Sequence, residues 1–437
     1  MAKGMDMADN TPLYNLKAVT NEIGINPVTL RAWERRYDLL KPKRSPGGHR
    51  LYSRQDIDML KWLIARQKEG LSISSAVEIW KSQFGNIQEI SQPIQIHVPV
   101  SGTGETILDE LRAQWLSTCF VFDDQAANRI LDQAFAIAAP EMIISEVLQK
   151  GLAQIGEFWY AGYVSVQQEH FATAIAIRRV NALMSAAAKP TRSGHILTAC
   201  PPREEHDFVL LMISYLLRRR GWDVVYLGSN VPLVDLDATI RATLPTLFLS
   251  AAQTLETAAS LRTLSEYMIM QGVPLVYGGG IFNQVPAATK CVTGYFLGTD
   301  VASVPQMVEH LVASPPPAPS AIPVPLQYTH ILTSFLQNEG AIVTYISSIY
   351  RPEQVTTAQL ANVNVTFTHS IASALTLGDF SLLDHSCGRL NHLLESYGLS
   401  TSGVRQYFTT YRQAVERFLG EDGTIIQNQL AKYEVSA

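Results

Sequence analysis

Hydrophobic and polar positions change their rhythm several times along this chain. Apolar residues recur at helical spacing over 16–24 and again over 27–38, with a Gly-Ile-Asn-Pro turn between the two runs. Asn26 is placed to cap the second run and Pro27 to open it, which predicts two short helices at helix-turn-helix spacing. The pair Gly47-Gly48 then turns the chain between Arg44 and His49-Arg50-Leu51-Tyr52, as in a hairpin wing, and a further helix is expected over 56–80. From 107 to 188 the periodicity is that of successive amphipathic helices. After Lys189 it changes again. Short apolar runs at 195–200, 223–227, 246–251 and 274–279 alternate with helical stretches, the signature of a parallel α/β sheet with crossover helices. From 328 to 432 the pattern is helical once more, over 331–350, 356–377, 381–397 and 401–419, and predicts an all-α bundle or globin-like fold.

Two stretches carry neither period. Residues 86–105 and the proline-rich 314–326 read as linkers, the second as an extended, semi-rigid spacer. The chain therefore divides into a head (12–84), a helical layer (106–189), a doubly wound α/β domain (190–313) and a helical tail (327–437). At 437 residues, 47% hydrophobic and 17% charged, it is a multidomain folded chain rather than a disordered one. Cys119, Cys200, Cys291 and Cys387 form no Cys-x-x-Cys pair, which argues against a disulfide scaffold or a zinc finger and suits the cytoplasm. No apolar run reaches the ~18 residues that cross a bilayer, and the first residues lack a signal peptide's apolar core, so no membrane partner is expected.

Charge adds a direction. Residues 12–84 carry 13 Lys/Arg against 7 Asp/Glu, while 85–437 carry 20 against 30, so the net −5 conceals a basic head on an acidic body. A basic head fits a polyanion, because phosphate neutralisation releases counterions. The second helix would offer Thr29, Arg31, Arg35 and Arg36 to a major groove, and the wing would offer Arg44, His49, Arg50 and Tyr52. The stretch TLRAWERRYDLLKPKRSPGGHRLYS, residues 29–53, closely resembles the winged helix-turn-helix of MerR-type regulators. Ala32-Trp33 and Gly48-His49-Arg50 look most like the CarH branch. The resemblance implies double-stranded operator DNA as the partner.

In the α/β domain, Glu204-Glu205-His206-Asp207 follows the first apolar run directly, where a doubly wound sheet opens its ligand crevice. An imidazole there can ligate a metal through one nitrogen, while Glu204 or Asp207 accepts the other N–H. Small residues end the later runs, at Gly228, Ser250 and Gly278-Gly279, and leave room for a ligand. Together these resemble the cobalamin-binding domain, which implies cobalamin, with His206 as the lower cobalt ligand and Ser250, Gly278 and Gly279 around its nucleotide tail. Val209 and Ala252 depart from the family's usual Gly and Leu.

In the helical layer, Trp159 is followed after nine residues by Glu169-His170. This spacing resembles the four-helix cap over the upper cobalamin face in CarH-like proteins. The resemblance implies adenosylcobalamin, with Trp159 packed over the ligand and Glu169 and His170 beside it. CarH-like photoreceptors have His directly after that Trp; this chain has Tyr160, a poorer ligand, so the photoproduct stays open.

The tail reads first as a dimerisation bundle. Its segment 378–400 also resembles, more weakly, the photocobilin type of cobalamin and bilin photoreceptor. That resemblance implies biliverdin or another bilin, with His385, Arg389 and His392 as candidate binding residues. The whole is expected to be a non-enzymatic, light-responsive transcriptional regulator, a homo-oligomer (dimer or tetramer) whose assembly sets DNA affinity. The alternatives are a cobalamin sensor that ignores light and the cobalamin module of an enzyme. No (β/α)8-length segment exists to supply a substrate domain for the latter.

Overall fold

A computed structural model of the chain describes residues 14–23, 25, 30, 33, 40, 43–44, 50–68, 73, 77, 107–160 and 163–436. It forms two compact units, Met1–Thr103 and Gly104–Ala437.

The first unit contains β1 (Tyr14–Asn15), α1 (Leu16–Ile23), β2 (Lys43–Arg44), β3 (Arg50–Tyr52) and α2 (Arg54–Lys68). The strands form an antiparallel sheet in the order β1-β3-β2, with Arg44 opposite Arg50 across the wing. Leu30 and Trp33, three residues apart and helical, are both buried against Val19, Ile57 and Leu63. Helix α2 starts two residues before the expected position because Ser53 and Asp56 cap it reciprocally. The Ser53 N–H donates to Asp56 Oδ2 at 2.7 Å, and the Asp56 N–H donates to Ser53 Oγ at 3.2 Å.

The second unit opens with a helical layer of α3 (Ile107–Phe120), α4 (Asp124–Ile137), α5 (Pro140–Ile143), a π-helical segment (Ile144–Gln149), α6 (Lys150–Tyr160) and α7 (Val166–Ser185). With the π segment joining α5 to α6, these make four rods around Trp115, Leu131, Val147 and Ile175. The α/β domain follows as β4 (His195–Thr198), α8 (Phe208–Arg219), β5 (Asp223–Tyr226), α9 (Leu236–Thr243), β6 (Pro245–Ala251), α10 (Leu255–Gln271), β7 (Leu275–Gly278), α11 (Gly280–Gln284), β8 (Tyr295–Phe296) and α12 (Val304–Ala313). The sheet is parallel throughout, in the order β5-β4-β6-β7-β8, so the sense in which strands are added reverses between β4 and β6.

Helices α8 and α12 cover one face of the sheet through Leu210, Ile213, Leu217, Val304 and Val308. Helices α9 and α10 cover the other through Leu236, Ile240, Leu261 and Met268. Helix α8 is apolar all round (FVLLMISYLL) because it is buried on two sides. Phe208, Leu211, Met212 and Tyr215 face the helical layer, which therefore sits on α8 as a cap.

The tail is all-α: α13 (Leu326–Ile349), α14 (Thr357–Leu377), α15 (Leu383–Ser396), α16 (Thr401–Leu419) and α17 (Thr424–Ser436). Phe367, Tyr407, Phe408 and Tyr411 fill its centre edge to face. Its core is continuous with that of α10, against which α14 packs.

The proline-rich segment is extended but docked rather than spanning open space. The Pro319 carbonyl accepts from the Gly294 N–H at 3.1 Å, and the Ile322 N–H donates to the Lys290 carbonyl at 2.8 Å. Arg262, on α10, is buried and fastens three pieces of chain. Its Nη1 donates to the carbonyls of Cys291 (3.1 Å) and Leu377 (2.8 Å), and its Nη2 to that of Ile322 (3.0 Å).

Candidate functional site

The loop leaving β4 meets the loop leaving β6 at the point where the sheet's winding reverses, the place where open α/β sheets bind ligands. Glu204 lies at the floor, fully buried. A carboxylate in that position needs partners, and it has four. Its Oε1 accepts from the His206 N–H at 2.9 Å and from His206 Nδ1 at 2.8 Å; its Oε2 accepts from the Gln253 N–H at 2.7 Å and from Thr257 Oγ1 at 2.6 Å. Burial opposes its ionisation, but the hydrogen bonds from His206, Thr257 and Gln253 outweigh burial and hold the carboxyl below the usual carboxylate range.

This arrangement fixes the His206 tautomer. Nδ1 carries its proton toward Glu204, which leaves Nε2 as the nitrogen with a lone pair for a metal. The side chain is 71% exposed. Its hydrogen bond to Glu204 raises the imidazole pKa, and the charges of Glu204, Glu169 and Glu205 raise it further. Asp207 faces elsewhere: its Oδ2 accepts from the Tyr226 hydroxyl at 2.6 Å. Of the two carboxylates flanking His206, Glu204 is therefore the one that orients it. Thr257, unremarkable in sequence, completes the chain of hydrogen bonds.

The rest of the loop is pinned from β5. The Asn230 side chain donates to Glu205 Oε1 at 2.8 Å and accepts from the Arg203 N–H at 2.8 Å, while its N–H donates to the Glu204 carbonyl at 2.8 Å. Gly228 (φ 89°) brings its carbonyl to the Cys200 N–H at 2.9 Å. Ser250 is buried and donates to the Ala199 carbonyl at 2.7 Å, so it ties β6 to the end of β4. Gly279 (φ 119°) is required by packing: a Cβ there would fall 2.0 Å from the Ala252 carbonyl oxygen. Gly278 lies on β7 beside it. One donor in this region has no partner: Nε2 of Gln253 is buried, although its Oε1 accepts from the Gly280 N–H at 2.8 Å.

From the cap, Trp159 stands at the end of α6 with 45% of its surface exposed, an unusual position for a large ring and one open to a ligand. Glu169 and His170 sit at the start of α7, bonded Oε2 to Nδ1 at 2.5 Å, with Glu169 Oε1 accepting from Thr173 Oγ1 at 2.8 Å. The Tyr160 side chain lies outside the described residues, as do Thr29, Arg31, Arg35, Arg36 and His49.

In the head, Arg44 and Arg50 are paired across the wing hairpin. Tyr52 is a correction. It was expected on the DNA-facing wing, but its ring is fully buried among Val19, Leu30 and Ile57, because β3 turns that position inward opposite Tyr14.

In the tail, Nε2 of His385 is buried without a hydrogen-bond partner, while burial and then the nearby Arg389 lower its imidazole pKa. His392 is exposed on the same helix, with Nδ1 3.8 Å from Glu395. Cys387 is fully buried, and burial drives its thiol pKa far up, so it is no nucleophile.

The family model for the MerR HTH family regulatory protein matches residues 14–83, and two B12 binding domain models match 112–184 and 194–303. The HTH-type transcriptional repressor CarH of Myxococcus xanthus is 30% identical over 279 residues, which span 62% of this chain and 90% of that protein. This chain belongs to the CarH-like MerR family. The repressor CarA of the same organism is 29% identical over 224 residues, spanning 51% of this CarH-like chain and 70% of CarA. Among solved structures, the monomethylamine corrinoid protein of Methanosarcina barkeri aligns with a TM-score of 0.39 and 14% identity, over 47% of this chain and 97% of that one.

The CarH-like protein is a cobalamin-binding transcriptional regulator with a MerR-type head. Its own residues fit that cofactor: an imidazole with one nitrogen committed and one available, an unpartnered buried donor at Gln253, and a half-exposed indole on the cap side.

Proposed function

We propose that this protein is a light-responsive repressor that uses adenosylcobalamin, held by His206 through Nε2, and that assembly as a dimer or tetramer sets its affinity for operator DNA. The observation that supports this reading is the Glu204–His206 pair, in which the bond to Nδ1 leaves Nε2 as the nitrogen with a lone pair for a metal. When bound, adenosylcobalamin supplies a cobalt–carbon bond that visible light breaks. The chain's part is to hold and report. Thr257 and Gln253 keep Glu204 ionised, and Glu204 keeps the His206 tautomer. Trp159 would cover the bound group and exclude water, while Glu169 would accept from its hydroxyl groups. Ser250, Gly228, Gly278 and Gly279 would frame the slot for the nucleotide tail, Asp207 is held by Tyr226 beside the loop, and His170 lies beside Glu169.

With the cofactor bound, Trp159 would be held by its contact with the group, so the cap is the element whose position depends on the bound state. Heads on spaced half-sites gain affinity through effective concentration, so release of the assembly releases DNA. Thr29, Arg31, Arg35, Arg36, Arg44, His49 and Arg50 form the proposed DNA surface. The protein acts in the cytoplasm and carries out no catalysis.

The test is a gel-shift and size-exclusion experiment on cofactor-loaded protein in darkness and after blue-green light. Loss of DNA binding together with a change in oligomeric state is expected. Identical behaviour in both conditions contradicts the light response and leaves a cobalamin sensor.

We extend the proposal to a bilin in the tail. The buried, unpartnered Nε2 of His385 favours it, with Arg389 one turn further along the same helix for a propionate and His392 beyond. Attachment is non-covalent, given the buried Cys387. Biliverdin added to the full chain should give a red-shifted band that His385→Ala abolishes; no band with folded protein contradicts it.

A further inference from the structure

The first turn of α10 reaches in two directions. Thr257 bonds Glu204, and Glu256 beside it makes a second set of contacts that holding the cofactor does not use. Its Oε1 accepts from Arg203 Nη1 at 2.7 Å and stands 3.4 Å from Nδ1 of His369 on α14. Nε2 of His369 is in turn 3.8 Å from Glu339 on α13. Arg203 occupies the left-handed backbone region (φ 69°) immediately before Glu204. A non-glycine residue persists there only where its surroundings fix it. Polar contacts therefore run without a break from the tail to the β4 loop.

We infer that His369 is a positioning residue for the cofactor loop: the tail holds Glu256, Glu256 holds Arg203, and Arg203 sets the turn that presents Glu204 and His206. The same helix, α10, is fastened to the tail by Arg262 and by a continuous apolar core. A displacement of α14 is thus transmitted to the end of α10 that supports the cobalt-ligating histidine. The functional meaning rests on the cobalamin reading, whereas the mechanical link does not. A helical tail with its own ligand or partner would, by this route, adjust the site from outside the α/β domain.

The test uses the full chain as wild type, His369→Leu, Glu256→Gln and the double variant. Two quantities are read: amide hydrogen exchange over residues 199–207 without cofactor, and affinity for hydroxocobalamin by absorbance titration. Partly exposed ionic contacts are individually weak, so exchange about two- to fivefold faster and binding about two- to fivefold weaker are expected in each single variant. Because His369 acts through Glu256, the double variant should match Glu256→Gln alone. His369→Gln, which keeps a donor, should recover most of the wild-type exchange. Wild-type exchange over 199–207 in His369→Leu, or fully additive effects in the double variant, overturns the inference. If wild-type protein takes up no hydroxocobalamin, the cofactor reading fails, and the exchange comparison still decides the positioning role.

Discussion

Arg262→Leu should loosen the tail and the proline-rich segment from the α/β domain while the sheet itself stays folded. Arg262 is 6% exposed, and its guanidinium donates to three carbonyls from separate parts of the chain, at Cys291, Ile322 and Leu377. Leucine fills much of the volume but donates nothing, so three acceptors lose their partner in a dry site. Leaving a buried carbonyl without its donor costs about 1–3 kcal/mol, so losing three at once exceeds a typical single substitution. The remaining contact, from Nε to Glu266 Oε1 at 3.2 Å, is at a mostly exposed carboxylate that water can satisfy. The loss therefore falls on the junction. Limited proteolysis should cut within 314–325 in the variant and spare the wild type, with a lower first transition in calorimetry. Equal protease resistance and an unchanged melting profile would show that the apolar contacts alone hold the junction.

That junction was hard to read from the sequence. Arg262 lies in LETAASLRTLSEY, where an arginine among alanines and serines looks like part of a solvated face. Its partners are backbone carbonyls 29, 60 and 115 residues away, and backbone carbonyls leave no trace in composition. Proline content likewise reports the stiffness of 314–326 and not the hydrogen bonds that dock it.

Element types were legible because burial imposes a period. The tail helices fall close to the expected 331–350, 356–377, 381–397 and 401–419, and α8 betrays its double burial by being apolar on every face. The position of the β4 loop was legible because Glu204 to Asp207 directly follow the first apolar run, and alternating strands and helices put that loop at the crevice of the sheet. The choice between Glu204 and Asp207 was not, since both lie within two residues of His206 and partners distant in sequence, Thr257 and Gln253 for the first and Tyr226 for the second, decide between them. Tyr52 was misplaced because a basic wing draws attention to charge, while the two-residue alternation of β3 and its pairing with Tyr14 decide which side chain turns inward.

The largest effect on the cofactor itself belongs to His206. His206→Ala removes the only ring nitrogen that Glu204 orients and leaves a buried carboxylate short of one donor, so protein ligation of cobalt should be lost entirely. Glu204→Gln should act more mildly. The imidazole remains, but the amide no longer supplies the negative charge that fixes its tautomer and strengthens it as a ligand, a change that in metal sites typically costs about 10–100-fold in affinity.

The central claim is that His206 Nε2 is the lower cobalt ligand. Electron paramagnetic resonance of the full chain loaded with the cobalt(II) form of cobalamin reads that bond directly, because the nitrogen nuclear spin splits the cobalt signal. Protein grown with 15N-histidine should show each line split into a doublet, and His206→Ala should lose the doublet. A triplet from natural-abundance nitrogen that persists in labelled wild-type protein would mean that the cofactor's own base is the ligand, and would contradict the account.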